Sequence, residues 1–232
     1  MTISPDQTLL FEFGFVRINA TLLFTWLTIA LLAGLARWIT SKLSTTGELS
    51  PWQNLLEVLV EGAQNQIRDI ARQDAGPFLP FIATLFLFIA ACNLLAVVPG
   101  YEPPTGSLST TTALALCVFC AVPFYGIRRH GVRGFLRLYL EPTPLMLPLN
   151  IIGELARTLA LAVRLYGNVM SGGLVVAILL LVAPFVFPAL MHALGLLTGL
   201  IQAYIFAVLA TVFIAAASAA QEQTIGHSQP RL

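Results

Sequence analysis

The chain has 232 residues, of which 57% are hydrophobic and only 10% are charged, and its mean hydropathy is +0.84. Soluble domains carry about 25% charged residues, so this composition excludes an ordinary soluble protein and predicts an integral membrane protein. The formal net charge of +1 also argues against a nucleic-acid-binding protein, because such proteins carry a clear excess of basic residues.

The first half of the chain contains three apolar segments and one amphipathic segment. Membrane spans are predicted over 22–42, 78–99 and 107–126, because each apolar run is long enough to cross a bilayer. Pro51 suits the first turn of a helix, and the segment 51–73 that it begins mixes apolar and polar residues. This amphipathic helix is predicted to lie on the membrane surface or against a partner.

The second half of the chain contains two apolar segments that are unusually long. A basic loop over 128–137 is predicted to precede long helices at 145–183 and 189–220, with Pro184 and Pro188 breaking the chain between them. Both helices exceed the roughly 20 residues that cross a bilayer, so they must tilt, kink or lie partly along the membrane. The predicted fold class is an all-α integral membrane protein with about five transmembrane helices and an amphipathic surface helix.

Basic residues in the predicted loops indicate the orientation of the chain. They lie between the first and second spans and after the third, whereas the turn at 99–107 and the break at 183–191 contain none. Because basic loops stay in the cytoplasm, five spans place the N-terminus outside and the C-terminus in the cytoplasm, in a single membrane domain over 1–232. The two halves show no duplication, which argues against an inverted-repeat transporter.

Three cysteines lie in apolar stretches, which is the wrong number for a disulfide framework. Cys117 and Cys120 share a helical face, but no histidine or carboxylate lies near them in the sequence. They are therefore predicted to be small buried hydrophobes, and no metal site is predicted.

Arg164 is the only charged residue between Arg157 and Glu222. Arginine keeps its proton at physiological pH, and placing it at membrane depth costs at least roughly 2.5 kcal/mol. Arg157 begins the apolar run and is the better candidate for a side chain that reaches back to the interface. Arg164 lies about 10 Å deeper along a helix, and this position indicates an ion path or a counter-charge.

Polar and small residues accompany Arg164 at helical spacing. One predicted face of its helix comprises Arg157, Leu161, Arg164, Asn168 and Ser171. The last helix carries a comparable stripe, which comprises His192, Gly195, Gly199, Gln202 and Ala203. If these two faces lie opposite each other, they would line a water path.

Two further polar residues complete the candidate set, Asn93 in the second span and Glu154 ten residues before Arg164. An anionic partner for Arg164 must be Glu154 or a carboxylate on another subunit. No nucleophile–base pair or phosphate-binding loop accompanies the arginine, so neither covalent catalysis nor a cofactor is predicted. Two alternatives are a stand-alone transporter or channel that uses Arg164 as an anion site, and a scaffold in which Arg164 only fixes helix packing.

The stretch Arg164-Leu-Tyr-Gly-Asn168 resembles the Arg-Leu-Phe-Gly-Asn signature of subunit a of F-type ATP synthases. In the last helix, Gln202-Ala-Tyr-Ile-Phe206 resembles the Gln-Ala-Phe-Ile-Phe of the same family. Further segments that resemble this family follow one another in order: 80–89, 93–95, 98–100, 104–112 and 141–150.

The resemblance implies a membrane stator that faces a rotating ring of c-subunits, each with an essential carboxylate. Arg164 would then be the essential arginine, which attracts the deprotonated carboxylate and separates two offset half-channels. We assign the half-channels to Asn168, Ser171, His192, Gln202, Glu154 and Asn93. The implied protein is not an enzyme on its own, holds no cofactor, and lies in the bacterial inner (plasma) membrane. Its implied partners are the c-ring, the peripheral-stalk subunit b, the rest of the ATPase complex and the lipid bilayer, with no nucleic acid.

The sequence departs from the family pattern at two positions. Many members carry an ionisable pair, one residue five positions after the asparagine and the other seven positions before the glutamine, where this chain has Gly173 and Gly195. His192 lies one turn from Gly195 and is the predicted substitute. The segment 157–164 also resembles the N-type branch of bacterial F-type ATPases, so sodium is an alternative to protons as the transported ion.

Overall fold

The structure is a computed structural model that describes residues 9–13, 16–41, 51–71, 76–98, 100–140, 146–182 and 187–219. This part of the chain is mostly helical. Its α-helices are α1 (Ala20–Thr40), α2 (Pro51–Ala71), α3 (Leu79–Leu95), α4 (Leu108–Leu140), α5 (Met146–Val182) and α6 (Phe187–Ala219). A short 3-10 helix, Pro104–Gly106, precedes α4.

The predicted all-α membrane fold is confirmed. Within the described residues, four helices have stretches long and apolar enough to cross a bilayer: Ala20–Thr40, Leu108–Arg129, Leu147–Leu181 and Leu190–Ala217. Helix α3 is apolar and shorter, with 17 residues, so its length of about 26 Å lies at the lower limit for a crossing. Four candidate spans are therefore found among the described residues, and the fifth crossing, which would be α3, stays a prediction.

The last two helices form the long pair expected from the sequence. Helices α5 and α6 contain 37 and 33 residues, or about 56 and 50 Å of helix, and they pack against each other. Helices of this length fit a hydrocarbon core of about 30 Å only when they are inclined or project beyond it. Pro188 lies within the first turn of α6 and not before the helix. In the first turn a residue without an N–H group costs no helical hydrogen bond. Pro184 lies outside the described residues.

Helix α4 continues well beyond the predicted third span. The segment 128–137, predicted as a loop, is helical as far as Leu140 apart from an interruption at Gly131, which has φ 74° and ψ 165°. Arginine and leucine favour helices, so the basic segment propagates the helix on both sides of this glycine. The prediction of a loop is therefore wrong, and a single residue with positive φ, which glycine adopts freely, provides the bend.

Two short strands precede α1, and the sequence analysis did not predict them. Strand β1 (Leu9–Phe13) pairs antiparallel with β2 (Val16–Asn19), so that Phe13 lies opposite Val16. The aromatic and β-branched residues of this segment are the signal that was available, because such residues favour strands.

The core lies where α3, α4, α5 and α6 meet. Fully or almost fully buried side chains come from each of these helices, among them Ile89, Val118, Leu165 and Phe206. Cys92 is also buried, as predicted, whereas Cys117 and Cys120 are exposed on the surface of α4. The prediction for these two cysteines is wrong because, in a membrane protein, an apolar side chain is equally stable facing lipid.

Helix α1 is joined to the bundle by a polar contact. The Thr28 hydroxyl donates its single hydrogen to the Phe24 carbonyl oxygen at 2.8 Å. It also lies 2.7 Å from the Tyr101 hydroxyl, so in that contact Tyr101 is the donor. Burial raises the pKa of the Tyr101 phenol, which keeps this donor neutral. This contact ties the first half of α1 to the 100–107 turn.

The bundle has two chemically different ends. One end holds the 100–107 turn and the start of α6 and is here called the turn end. The turn itself contains no Lys or Arg. The opposite end, here called the basic end, holds the end of α4 and carries exposed arginines such as Arg68 and Arg128.

Gly199 of α6 allows α3 to approach closely. A Cβ atom at this position would lie 2.7 Å from Asn93 Cγ, and Asn93 Nδ2 donates to the Gly199 carbonyl oxygen at 3.0 Å.

Gly199→Ala is expected to destabilise the α3–α6 contact by about 1–3 kcal/mol through overpacking, although alanine ordinarily favours a helix over glycine. The measurement is the rate of maleimide labelling at the buried Cys92 in membranes, with the other two cysteines replaced by serine. Labelling should accelerate at least about fivefold.

The matched control is Gly34→Ala in α1. A Cβ atom at Gly34 would meet nothing within 4 Å, so labelling of Cys92 should stay at the wild-type rate. Equal labelling rates in the two variants would contradict the close-packing account.

Candidate functional site

Arg164 lies in the middle of α5 on a side that does not pack against the described part of this chain. Leu161 and Leu165, which point into the bundle, are 1% and 0% exposed, whereas Leu159 and Val163 are 63% and 53% exposed. Arg164 belongs to the exposed side. A guanidinium facing hydrocarbon is costly, so this side of α5 is suited to contact with a polar or charged group of another chain.

The predicted face of α5 is divided between two environments. Leu161 is buried and Asn168 is half-buried, whereas Arg157, Arg164 and Ser171 are exposed. At 100° per residue these five positions spread over a sector about 80° wide, with Leu161 and Asn168 on one edge of it and Arg164 and Ser171 on the other. The line between the packed and the exposed side of α5 runs between those edges. The five residues therefore share a sector of the helix, but some of them face the bundle and the others do not.

A cavity of about 220 Å³ lies at the turn end between α3, α5 and α6. This turn-end cavity brings together three predicted site residues, Asn93, Asn168 and His192. Gly173 and Gly195 also line it, and because they carry no side chains they leave room between the two long helices. The amide and imidazole groups can hydrogen-bond to water that fills such a space.

A second cavity, of about 300 Å³, lies at the basic end between α4, α5 and α6. Its polar lining includes Asn150, Glu154, Arg157 and Thr158. Arg157 is held over the ring of Phe213, with 5.8 Å between the guanidinium carbon and the ring centroid. This basic-end cavity therefore carries both a carboxylate and a cation.

Arg164 lines neither cavity and lies between them along α5. It is six residues beyond Thr158, the nearest α5 residue in the basic-end cavity, and four before Asn168, the nearest in the turn-end cavity. These separations correspond to about 9 and 6 Å of helix. The intervening turns are packed through buried Leu161 and Leu165, so the two polar spaces are separate and the arginine lies at the level where they are divided.

Besides Arg164, two predicted site residues lie outside both cavities, Ser171 and Gln202. Ser171 is exposed, and its hydroxyl donates to the Asn168 carbonyl oxygen at 3.2 Å. Gln202 is only 7% exposed, and its Nε2 has no hydrogen-bond partner within the described part of the chain. An unsatisfied buried amide costs about 1–3 kcal/mol, which water or a partner must offset.

The sequence analysis missed three polar residues that line the cavities, Thr198, Asn150 and Thr158. Their helical spacing was the available signal. Thr198 continues the three-residue spacing of His192 and Gly195, and Asn150 precedes Glu154 and Arg157 at intervals of four and three residues.

Comparison with known proteins supports the same reading of the chain. The family model described as ATP synthase A chain matches residues 22–215. ATP synthase subunit a 2 of Acaryochloris marina is 61% identical over 94% of this chain and 93% of its own length. ATP synthase subunit a 2 of Picosynechococcus sp. is 57% identical over 96% of both chains. ATP synthase subunit a of Nitrosospira multiformis is 56% identical over 98% of this chain and 91% of its own.

These similarities extend over nearly the whole chain and agree with its long apolar helices. The chain belongs to the ATP synthase A chain family, the non-catalytic multi-pass membrane subunit a of F-type ATP synthases.

Proposed function

We propose that this chain provides two offset half-channels and that Arg164 faces the carboxylates of a rotating ring of c-subunits. The observation that carries the proposal is the position of Arg164, which is exposed on α5 between two polar cavities near opposite ends of the bundle. A ring carboxylate that moves from one half-channel to the other must pass the arginine. Ion flow is thereby coupled to rotation, and rotation to ATP synthesis or hydrolysis.

The electrostatic role of Arg164 follows from its permanent charge. Two unit charges 4 Å apart attract by about 4 kcal/mol at an effective dielectric constant near 20. This energy corresponds to roughly a thousandfold change in the dissociation constant of an ion from the carboxylate. A carboxylate that approaches Arg164 therefore releases its ion and passes in the charged form, which prevents a direct leak between the half-channels.

We assign the turn-end cavity to the outer side of the membrane and the basic-end cavity to the cytoplasmic side. The exposed arginines of the basic end support this assignment, because basic residues flank spans in the cytoplasm. It gives an outside N-terminus and a cytoplasmic C-terminus in the inner (plasma) membrane of a bacterium. His192 would be the titratable side chain of the outer half-channel, in place of the ionisable pair absent at Gly173 and Gly195, and Glu154 would serve the cytoplasmic half-channel.

Asn93 and Asn168 would bind water along the outer path. Ser171 lies on the Arg164 side of α5 and would border the ring. The buried Nε2 of Gln202, which has no hydrogen-bond partner among the described residues, would hold a water molecule.

We propose protons as the transported ion, with sodium as the alternative. The amides and hydroxyls of the two cavities bind water, through which either ion reaches the ring, so the ion is selected at the ring carboxylate. The proposed protein partners are the c-ring against the exposed side of α5 and the peripheral-stalk subunit b. Helix α1 offers a further surface for such a partner, since Trp26 on it is 74% exposed.

Arg164→Ala in the assembled complex is expected to abolish ATP-driven ion pumping, because no fixed cation then forces release of the ion from the ring. The measurement is ATP-driven pumping in inverted membrane vesicles, with assembly checked on native gels. Arg37→Ala, which removes an exposed arginine at the end of α1, is the control and should pump like wild type. Full pumping by an intact Arg164→Ala complex would contradict the proposal and leave Arg164 as a packing or interfacial residue.

The same vesicles distinguish the other readings of the chain. Pumping by wild type without added sodium indicates protons, and a requirement for sodium indicates the alternative ion. Ion flux through the purified chain alone would indicate a stand-alone channel.

The two cavities are expected to be reachable from opposite sides of the membrane. Asn168→Cys should react with a membrane-impermeant thiol reagent added outside, and Asn150→Cys with the same reagent added to the cytoplasmic side, in a background without the native cysteines. Leu159→Cys, on the apolar exposed side of α5, is the control and should react from neither side. Labelling of both cavity positions from one side would contradict the assignment of two separate half-channels.

A further inference from the structure

Helix α4 bends sharply where its membrane-spanning part ends. The apolar stretch Leu108–Arg129 is followed by the non-helical Gly131. The ring of Phe135 lies 2.7 Å from the position that a Cβ atom on Gly126 would occupy, although nine residues of straight helix would separate these positions by about 14 Å. The arm after Gly131 therefore turns back across the end of the span. We call residues 126–135 the α4 elbow.

The elbow carries exposed cations on both of its arms. Arg128 precedes the bend, Arg133 follows it, and both side chains are exposed. Because the second arm turns back toward Gly126, Arg133 stays near the end of the span instead of being carried away from it. Guanidinium groups bind phosphate oxygens through paired charge-assisted hydrogen bonds, so two of them at a bend are suited to an anionic phosphate group.

An exposed apolar stripe runs along α4 into the elbow. Leu116, Phe124 and Ile127 are 48%, 59% and 36% exposed, and Cys120 between them is exposed as well. Their spacing of three or four residues places them along one side of the helix. Arg128 follows Phe124 by four residues, one helical turn, so the stripe of apolar side chains ends beside a cation.

We propose that the α4 elbow binds an anionic phospholipid, with its phosphate group at Arg128 and Arg133 and an acyl chain along the stripe from Leu116 to Ile127. The cations alone would suit any phosphate, but the stripe that continues from them has the length and apolar character of an acyl chain. Anionic lipids of the cytoplasmic leaflet are attracted to juxtamembrane arginines. The proposal rests on the α4 geometry and does not depend on the role of Arg164.

The test uses the intact complex in phosphatidylcholine nanodiscs that contain a small amount of a photoreactive lipid. This lipid carries a diazirine on one acyl chain and is phosphatidylglycerol in one sample and phosphatidylcholine in the other. Photolabelling of the peptide that contains residues 116–127 is quantified by mass spectrometry. Wild type should be labelled on the order of tenfold more by the anionic lipid. Arg128→Gln combined with Arg133→Gln should bring the two lipids close to equal labelling.

The matched control is Arg37→Gln combined with Arg68→Gln, which removes two other exposed arginines and should keep the wild-type preference. Equal labelling by both lipids in wild type, or an unchanged preference in the elbow variant, would overturn the proposal. Loss of a peripheral-stalk subunit from the elbow variant, with the lipid preference intact, would overturn it in favour of an acidic protein partner.

Discussion

The structure depends on a permanently charged guanidinium placed within an apolar segment. Arg164 cannot lose its proton, and its side of α5 does not pack against the described part of this chain. A guanidinium that faces hydrocarbon is costly, and in the proposed account an anionic group of another chain offsets this cost. The apolar side chains that flank it, such as Leu159 and Val163, also remain exposed, so the helix presents a broad surface with one charge at its centre.

The rest of the bundle keeps the polar spaces on either side of this charge apart. Gly199 and Asn93 draw α3 against α6, while buried Leu161 and Leu165 close the packing of α5 at the level of Arg164. Glycines at 173 and 195 leave room for the turn-end cavity. The same arrangement thus provides polar cavities near both ends and a tightly packed region between them, and the proposed coupling of ion flow to rotation requires both.

Much of the fold could be predicted because long apolar runs report membrane helices directly. The all-α fold and the long α5–α6 pair follow from hydropathy and length, and the resemblance around Arg164 and Gln202 indicated the family. The bend at Gly131 could not be predicted, since it depends on one backbone conformation and on the contact of Phe135 with Gly126. Hydropathy also cannot distinguish a side chain that faces lipid from one that faces protein, which is why Cys117 and Cys120 were predicted to be buried. For the same reason the division of the Arg164 face was not foreseen.

The most direct test of the central claim is disulfide cross-linking between α5 and the ring in the assembled complex. Cysteines at Val163 or Gly167, both exposed beside Arg164, are paired with a cysteine one turn from the ring carboxylate, after the native cysteines have been replaced. The account predicts cross-links to the ring from these two positions and none from Ala162 or Leu165, which are buried in the bundle. Cross-links from the buried positions, or an absence of cross-links from the exposed ones in a complex that pumps, would contradict it.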